Sequence, residues 1–62
     1  MNINKLKGLL AEKGVTHKDI AKLLGISVSA VQKKMIRLSN FSVEQLKAIA
    51  DYLKVDINVF LN

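Results

Sequence analysis

Apolar and polar residues follow one another along the chain with the spacing of amphipathic α-helices. In the first such stretch the residues that share one helical face are Leu6, Leu9 and Leu10. Asn2 or Asn4 is able to cap the start of this helix, and Gly14 stands where a C-terminal glycine in the left-handed conformation would end it. The pattern therefore predicts a first helix that closes at Gly14.

A second helix is predicted between Thr16 and Gly25. Thr16 followed three residues later by Asp19 matches a capping box, in which each side chain bonds the backbone amide of the other residue. The apolar stripe of this helix consists of Ile20, Ala21, Leu23 and Leu24. Gly25 closes the helix, because glycine accepts the positive φ of a tight turn.

The third helix follows this glycine after a turn of only a few residues. Ile26 is an apolar anchor in the turn, and Ser27 is a good N-cap. Val31 and Met35, four residues apart, turn one stripe of the helix inward. Two short helices joined by so tight a turn cross at a large angle, which is the geometry of a helix-turn-helix over about residues 16–36.

Two further helices complete the pattern. Ser42 with Gln45 gives another capping box. Phe41, just before this box, is placed to pack against the helix as a hydrophobic staple on Leu46. The inward residues of this fourth helix are Leu46, Ile49, Ala50 and Leu53. Asp56 is predicted to cap a short, apolar fifth helix.

The fold class predicted from these elements is all-α, because no Asn-Gly or Asp-Gly turn joins two alternating strands. A chain of 62 residues supports one core, so we expect residues 1–62 to form a single compact five-helix domain. Five apolar residues are harder to place, some belonging to the core and the remainder to an exposed dimer patch: Ile36, Leu38, Val59, Phe60 and Leu61.

Cysteine is absent from the chain, so neither a disulfide nor a zinc-thiolate site can staple the fold. No apolar run approaches the roughly 18 residues that a membrane span needs. The apolar stretch Gly8–Ala11 is followed directly by Glu12, which argues against a signal peptide. These features predict a cytoplasmic protein with no membrane partner.

Positive charge is concentrated in the middle of the chain. Ten Lys and Arg against five Asp and Glu give a formal net charge of +5, which favours an acidic partner such as nucleic acid. The segment 20–43 contains no acid and four cations, namely Lys22, Lys33, Lys34 and Arg37. Taken alone, this segment has an alternative interpretation as a solvated, lysine-rich helix face.

Catalysis requires a set of groups that the chain does not offer. With no Cys, one His and five carboxylates, three of them at predicted helix starts, no nucleophile–base pair and no metal-ligand set can be assembled. We therefore expect a protein that is not an enzyme and that uses no cofactor, no metal and no small-molecule substrate.

Several residues together carry a resemblance to a known family. They are Thr16-His17 at the start of the second helix, Ala21 where the two helices cross, Gly25 in the turn, the anchors Ile26 and Val31, and the closing stretch ADYLKVDINVFL. From Leu6 to Leu61 the chain resembles the helix-turn-helix domains of the phage repressor and Cro type, the XRE-like regulators. The family commonly has Gln where this chain has His17, and often has Gly where it has Arg37.

This resemblance implies a lambda-repressor-like fold that binds double-stranded DNA. In such a motif the third helix lies in the major groove and the second helix crosses the backbone. A step of about 100° per residue places Ser29, Gln32, Lys33 and Ile36 near the side opposite the inward stripe, with Val28 at the edge of that side. The predicted base-reading residues are Val28, Ser29, Gln32 and Lys33. The predicted phosphate-binding residues surround the helix and are His17, taken from its matching position, with Ser27, Lys34, Arg37 and Asn40.

The resemblance further implies a transcriptional regulator, a Cro-like repressor of phage or prophage origin that occupies operator DNA as a homodimer. A protein-interaction module of the same fold, antitoxin-like or polymerase-binding, is the alternative, and fold alone does not decide between the two. The acid-free segment 20–43 favours DNA, since phosphate would repel a carboxylate on the groove face.

Overall fold

Five short helices build the fold at the places that the sequence pattern predicts. The computed structural model describes residues 3–61, which contain five α-helices, one 3₁₀ turn and no β-strand. The α-helices are α1 (Ile3–Lys13), α2 (His17–Leu24), α3 (Val28–Lys34), α4 (Val43–Leu53) and α5 (Asn58–Leu61). The 3₁₀ turn, Leu38–Asn40, lies between α3 and α4, where the sequence predicts no element. The all-α, five-helix prediction is confirmed.

α2 and α4 begin with capping boxes in which both reciprocal hydrogen bonds are present. In the first, the Asp19 backbone N–H donates to the Thr16 hydroxyl oxygen at 3.2 Å, and the Thr16 backbone N–H donates to the Asp19 carboxylate at 2.9 Å. In the second, the Gln45 N–H donates to the Ser42 hydroxyl oxygen at 3.1 Å, and the Ser42 N–H donates to the Gln45 side-chain oxygen at 3.0 Å. Each box satisfies backbone donors that a helix start leaves open, so local sequence fixes both starts.

The start of α1 differs from the prediction. α1 already includes Ile3, so Asn4 lies within its first turn. The prediction of Asn4 as an N-cap was therefore wrong, and the alternative cap, Asn2, lies outside the described residues. The end of α1 is as predicted, since Gly14 follows Lys13 directly and has a φ of 67°.

α1, α2 and α4 end in the same type of turn. A residue in the left-handed conformation follows each helix, and the next residue, which is apolar, donates its N–H to a carbonyl five positions back. These bonds run from Val15 to Leu10 (2.8 Å), from Ile26 to Ala21 (3.1 Å) and from Val55 to Ala50 (3.0 Å). The left-handed residue is Gly14 after α1 and Gly25 after α2, but it is Lys54, with a φ of 58°, after α4.

The core receives at least one side chain from every α-helix, and within residues 3–61 no buried residue is polar or charged. Its buried members are Leu6, Leu10, Ile20, Ala21, Val31, Met35, Leu38, Phe41, Leu46, Ile49, Ala50, Leu53 and Phe60. The apolar residues that the sequence left unplaced divide between core and surface. Leu38 and Phe60 are buried and Leu61 is half-buried. Ile36 and Val59 are 69% and 42% exposed.

Leu23 departs from the predicted apolar stripe of α2. Its side chain is 37% exposed, whereas Ile20 and Ala21 are buried and Leu24 is half-buried. Two residues along a helix correspond to a turn of about 200°, so Leu23 lies on the side opposite Ala21. Its inclusion in the buried stripe was wrong.

α3 lies at the edge of the helical bundle. Its main contacts are with α2 and the 3₁₀ turn, whereas α2 also packs on α4, and α1 packs on both α4 and α5. Within α3 only Val31 is buried. Met35, the residue that follows α3, is buried as well. The side of α3 that faces away from α2 is therefore left uncovered by the described part of the chain.

Candidate nucleic-acid interface

A glycine turn and a serine cap fix the position of α3. Gly25, with φ 68° and ψ 33°, ends α2, and only three residues separate the two helices. The Ser27 hydroxyl oxygen accepts the Ala30 N–H at 3.1 Å, and the Ser27 carbonyl accepts the Val31 N–H at 3.1 Å. Because so short a connection is bonded at both ends, α3 has little freedom to change its angle to α2.

All four residues predicted to read bases are exposed on α3. Val31 and Met35 are 0% and 4% exposed, which confirms the predicted inward stripe. Ser29, Gln32 and Lys33 are exposed on the sides of α3 away from this stripe, whereas Val28, three residues before Val31, is exposed in the first turn beside it. α3 is about 10 Å long. The major groove of B-DNA admits an α-helix, so one such groove is able to meet all four side chains together.

No carboxylate lies on α3 or in the connections on either side of it. Lys33 and Lys34 form the end of α3, and Arg37 follows before the 3₁₀ turn. The nearest acids along the chain are Asp19 in α2 and Glu44 in α4. The surface around α3 is therefore positively charged, which attracts a polyanion.

Asp19 is held in the capping box of α2. Its carboxylate accepts hydrogen bonds from the Thr16 backbone N–H at 2.9 Å and from the Thr16 hydroxyl at 3.0 Å. These bonds, the backbone one first, lower the pKa of Asp19 below its ordinary value. The charges of Lys22 and Lys18 lower this pKa further, against the opposing effect of desolvation. The carboxylate is thus ionised at neutral pH and engaged at the start of α2.

The residues predicted to bind phosphate come from α2, from α3 and from the segment after α3. His17 is the half-buried first residue of α2, and Ser27 is the exposed cap of α3. Arg37 and Asn40 are exposed, and Lys34 is the half-buried last residue of α3. Lys34 and Asn40 line one surface depression and His17 lines another, so the predicted phosphate contacts are divided between separate places.

Lys34 and Asn40 join the end of α3 to the 3₁₀ turn. The Lys34 ammonium donates to the Asn40 carbonyl oxygen at 3.0 Å, and the Asn40 side-chain amide donates to the Lys33 carbonyl oxygen at 3.5 Å. The last turn of an α-helix leaves carbonyl groups without intrahelical partners, so the Asn40 amide helps to close α3. Sequence reasoning missed this pairing, because no spacing rule links residues six or seven positions apart across a turn.

An open depression of about 370 Å³ lies beside this pairing and is lined by Ala30, Lys33, Lys34 and Asn40. An ammonium group has three N–H donors. Since Lys34 uses one of them on the Asn40 carbonyl, the others remain able to meet an anion in the depression. The arrangement offers fixed positive charge next to the outer face of α3.

The described residues offer donors and charge rather than an enclosed reaction site. Between residues 3 and 61, no group of three or more His, Cys, Asp or Glu lies together in a way able to hold a metal ion. No helix in this same part of the chain is long and apolar enough to cross a membrane. What the site can do chemically is attract an anionic surface and form hydrogen bonds with it.

Comparison with known proteins identifies the family. A family model described as helix-turn-helix matches residues 6–60, a range that includes α2, α3 and α4 in full. A search of curated proteins and a search of solved structures each returned no match. The matched family is one of DNA-binding regulators. The chain therefore belongs to the helix-turn-helix family of XRE type.

Proposed function

We propose that this chain is a sequence-specific regulator that binds double-stranded operator DNA, a Cro-like repressor of phage or prophage origin acting in the cytoplasm. α3 enters the major groove while α2 crosses the backbone above it. The observation that carries the proposal is the outer face of α3, which is exposed, free of carboxylates and at the edge of the bundle. Occupancy of the operator then represses transcription by excluding polymerase.

Base recognition is the role proposed for the outer face of α3. Lys33 donates to guanine O6 and N7, and Gln32 is suited to the N6 and N7 of adenine. Ser29 bonds several base edges, and Val28 packs against a thymine methyl group. Each good contact contributes about 1–3 kcal/mol of discrimination between base pairs.

Phosphate binding is the role proposed for five residues around α3: His17, Ser27, Lys34, Arg37 and Asn40. Ser27 uses its hydroxyl oxygen as the cap of α3, which leaves its O–H free to donate to a phosphate oxygen. Lys34 keeps two N–H donors beyond its bond to the Asn40 carbonyl. Such contacts fix the protein on the duplex and add affinity without reading sequence.

Two copies of the chain are proposed to bind the operator together as a homodimer. Symmetric half-sites would then lie about 34 Å apart, one turn of the double helix. Exposed apolar residues such as Ile36 and Val59 are available for a contact between the two copies. A selection of bound sequences from a random duplex pool would recover both the site and this spacing.

A titration of labelled duplex at about 50 mM and about 200 mM salt tests DNA binding directly. We expect the logarithm of the affinity to fall with the logarithm of salt concentration with a slope of several units, because bound lysine and arginine release counterions. A duplex from the random-pool selection serves as the specific target, and a scrambled duplex of equal length serves as its control. Absence of binding at the lower salt would overturn the proposal and leave the protein-interaction module as the remaining candidate.

A pair of substitutions tests the division between base and phosphate contacts. Lys33→Ala should reduce discrimination between the selected and scrambled duplexes by about 1–3 kcal/mol, because it removes a contact to a base. Arg37→Ala should lower the affinity for both duplexes by the same factor, because it removes a contact to phosphate. Equal losses for both duplexes in both variants would show that the assignment of Lys33 is wrong.

A further inference from the structure

A second depression, separate from the one beside Asn40, is bordered by three elements. Its volume is about 290 Å³, and it opens between α1, the start of α2 and the end of α3. α1 contributes residues at positions i, i+3 and i+4, which share one helical face. The full lining is Lys7, Leu10, Ala11, Val15, Thr16, His17 and Met35.

The lining divides into an apolar part and a polar part. Leu10 and Met35 are each 4% exposed, so they form the inner wall. The polar groups are the Lys7 ammonium, the Thr16 hydroxyl and the His17 imidazole, and no acidic side chain is among the lining residues. The Thr16 hydroxyl donates to the Asp19 carboxylate at 3.0 Å, so Lys7 and His17 are the groups left to meet a ligand. Both are N–H donors, and Lys7 brings a positive charge.

The position of this depression relates it to the outer face of α3. Met35 is at once the C-cap of α3 and part of the inner wall, and His17 is the first residue of α2. In the docking geometry of the motif, α2 crosses the DNA backbone while α3 lies in the groove. Because Lys7 lines the same depression as His17, a strand held at the start of α2 would lie close to Lys7.

We infer that this depression holds a backbone phosphate of the bound duplex, with Lys7 as a phosphate-binding residue beside His17. The inference rests on the proposed function and extends the interface to α1, a helix outside the helix-turn-helix itself. Lys7 projects its ammonium to a phosphate oxygen, and His17 donates a ring N–H to the same group. The apolar inner wall excludes water from one side of the phosphate, which strengthens the charge interaction.

Lys7→Gln and Lys13→Gln form a matched pair that tests this role. Both lysines are exposed on α1, both changes remove one positive charge, and Gln is about as good a helix former as Lys. Only Lys7 lines the depression. We expect Lys7→Gln to reduce the slope of log affinity against log salt by about 0.9, the value for one phosphate contact, and Lys13→Gln to leave it unchanged. Lys7→Arg should restore the slope, because arginine keeps the charge.

The outcomes separate this inference from the proposed function. A flat salt dependence for the unaltered protein would overturn the proposed function and with it the inference. A steep dependence that Lys7→Gln and Lys13→Gln change equally would overturn the inference alone, because a distant charge would then account for both. Inorganic phosphate at matched ionic strength tests the other source of the same anion. Chemical shift changes at His17 in phosphate, with no effect of Lys7→Gln on the duplex slope, would assign the depression to the free ion.

Discussion

The chain builds the same helix–turn–helix construction twice, and the two units differ in the packing of their short helix and in their charge. α2 and α3 are joined through Gly25 and the cap Ser27, whereas α4 and α5 are joined through Lys54 and Asp56, whose carboxylate accepts the Asn58 N–H at 2.8 Å. In both units a capping box starts the longer helix, and a left-handed residue ends it. The shared backbone geometry does not explain why the first unit is the one proposed to enter DNA.

Packing and charge distinguish the two units. Each short helix buries one residue completely, Phe60 in α5 and Val31 in α3, but α3 packs mainly on α2 and exposes four residues, whereas α5 packs on α1 and exposes two. The second unit carries three acids, which are Glu44, Asp51 and Asp56. The first unit has none after the capping box of α2. The first unit thus combines the larger exposed face on its short helix with a neutral cap, and both features favour the approach of an anionic partner.

Replacing the neutral cap of α3 with an acidic residue, such as Asp56 in the second unit, should give the largest change in DNA affinity. Asp caps a helix about as well as Ser, so Ser27→Asp keeps α3 folded. It also places a carboxylate at the N-terminus of α3, which is proposed to face phosphate. We expect duplex affinity to fall about thirtyfold, corresponding to a repulsion on the order of 2 kcal/mol at a screened site. Titration with the selected duplex measures the change.

Two further variants control this exchange. Ser27→Asn is a neutral cap of similar quality, and its affinity should stay close to that of the unaltered protein. Asp56→Ser removes the acid from the second unit, where screening by salt should leave affinity within about twofold. If Ser27→Asp bound as tightly as the unaltered protein and unfolded at the same temperature, Ser27 would lie outside the interface.

The left-handed turns allow a smaller, purely structural comparison. A Cβ on Gly25 would meet no atom within 4 Å, so only the positive φ of this residue disfavours a side chain. Gly25→Ala should therefore lower the free energy of unfolding by about 1 kcal/mol. Lys54→Gly should raise it by about 0.5 kcal/mol, because relief of the left-handed strain exceeds the added freedom of the unfolded chain. Gly8→Ala, inside α1, should also stabilise the protein, by about 1 kcal/mol.

Urea unfolding measures all three variants. The two glycine-to-alanine changes are chemically identical, so opposite signs at Gly25 and Gly8 would isolate the backbone conformation as the cause. A loss of stability in Lys54→Gly would show that the side chain of Lys54, rather than its backbone, supports the turn after α4.

Features that depend on residues three to five positions apart could be predicted from the sequence. The capping boxes at Thr16 and Ser42 and the turns at Gly14 and Gly25 are of this kind. The inward stripe of α3 was predicted in the same way, from the four-residue spacing of Val31 and Met35. Asn4 is the local failure, because a side chain able to cap a helix does so only where the helix begins.

Features that depend on how helices meet could not be predicted. Leu23 is apolar and follows helical spacing, yet it is exposed, because α2 packs on the core through the side that carries Ile20 and Ala21. Lys54 takes a left-handed conformation without a glycine, and the next residue, Val55, packs against the core. Lys7 lines a depression together with His17 and Met35, which come from other parts of the chain, and no linear spacing predicts such a meeting.

The two capping boxes should differ in their response to acid, the smallest effect we expect. The Thr16 bonds lower the pKa of Asp19 in the folded protein, so the first box stabilises the fold above the unfolded pKa of this carboxyl group. That contribution is lost as the pH falls through the folded pKa. The box of Ser42 and Gln45 contains no titrating group. In urea unfolding between about pH 6 and about pH 2, Asp19→Asn should therefore lose less stability than the unaltered protein, and Gln45→Glu should lose more. An Asp19→Asn variant with the full acid sensitivity would assign that sensitivity to other carboxylates.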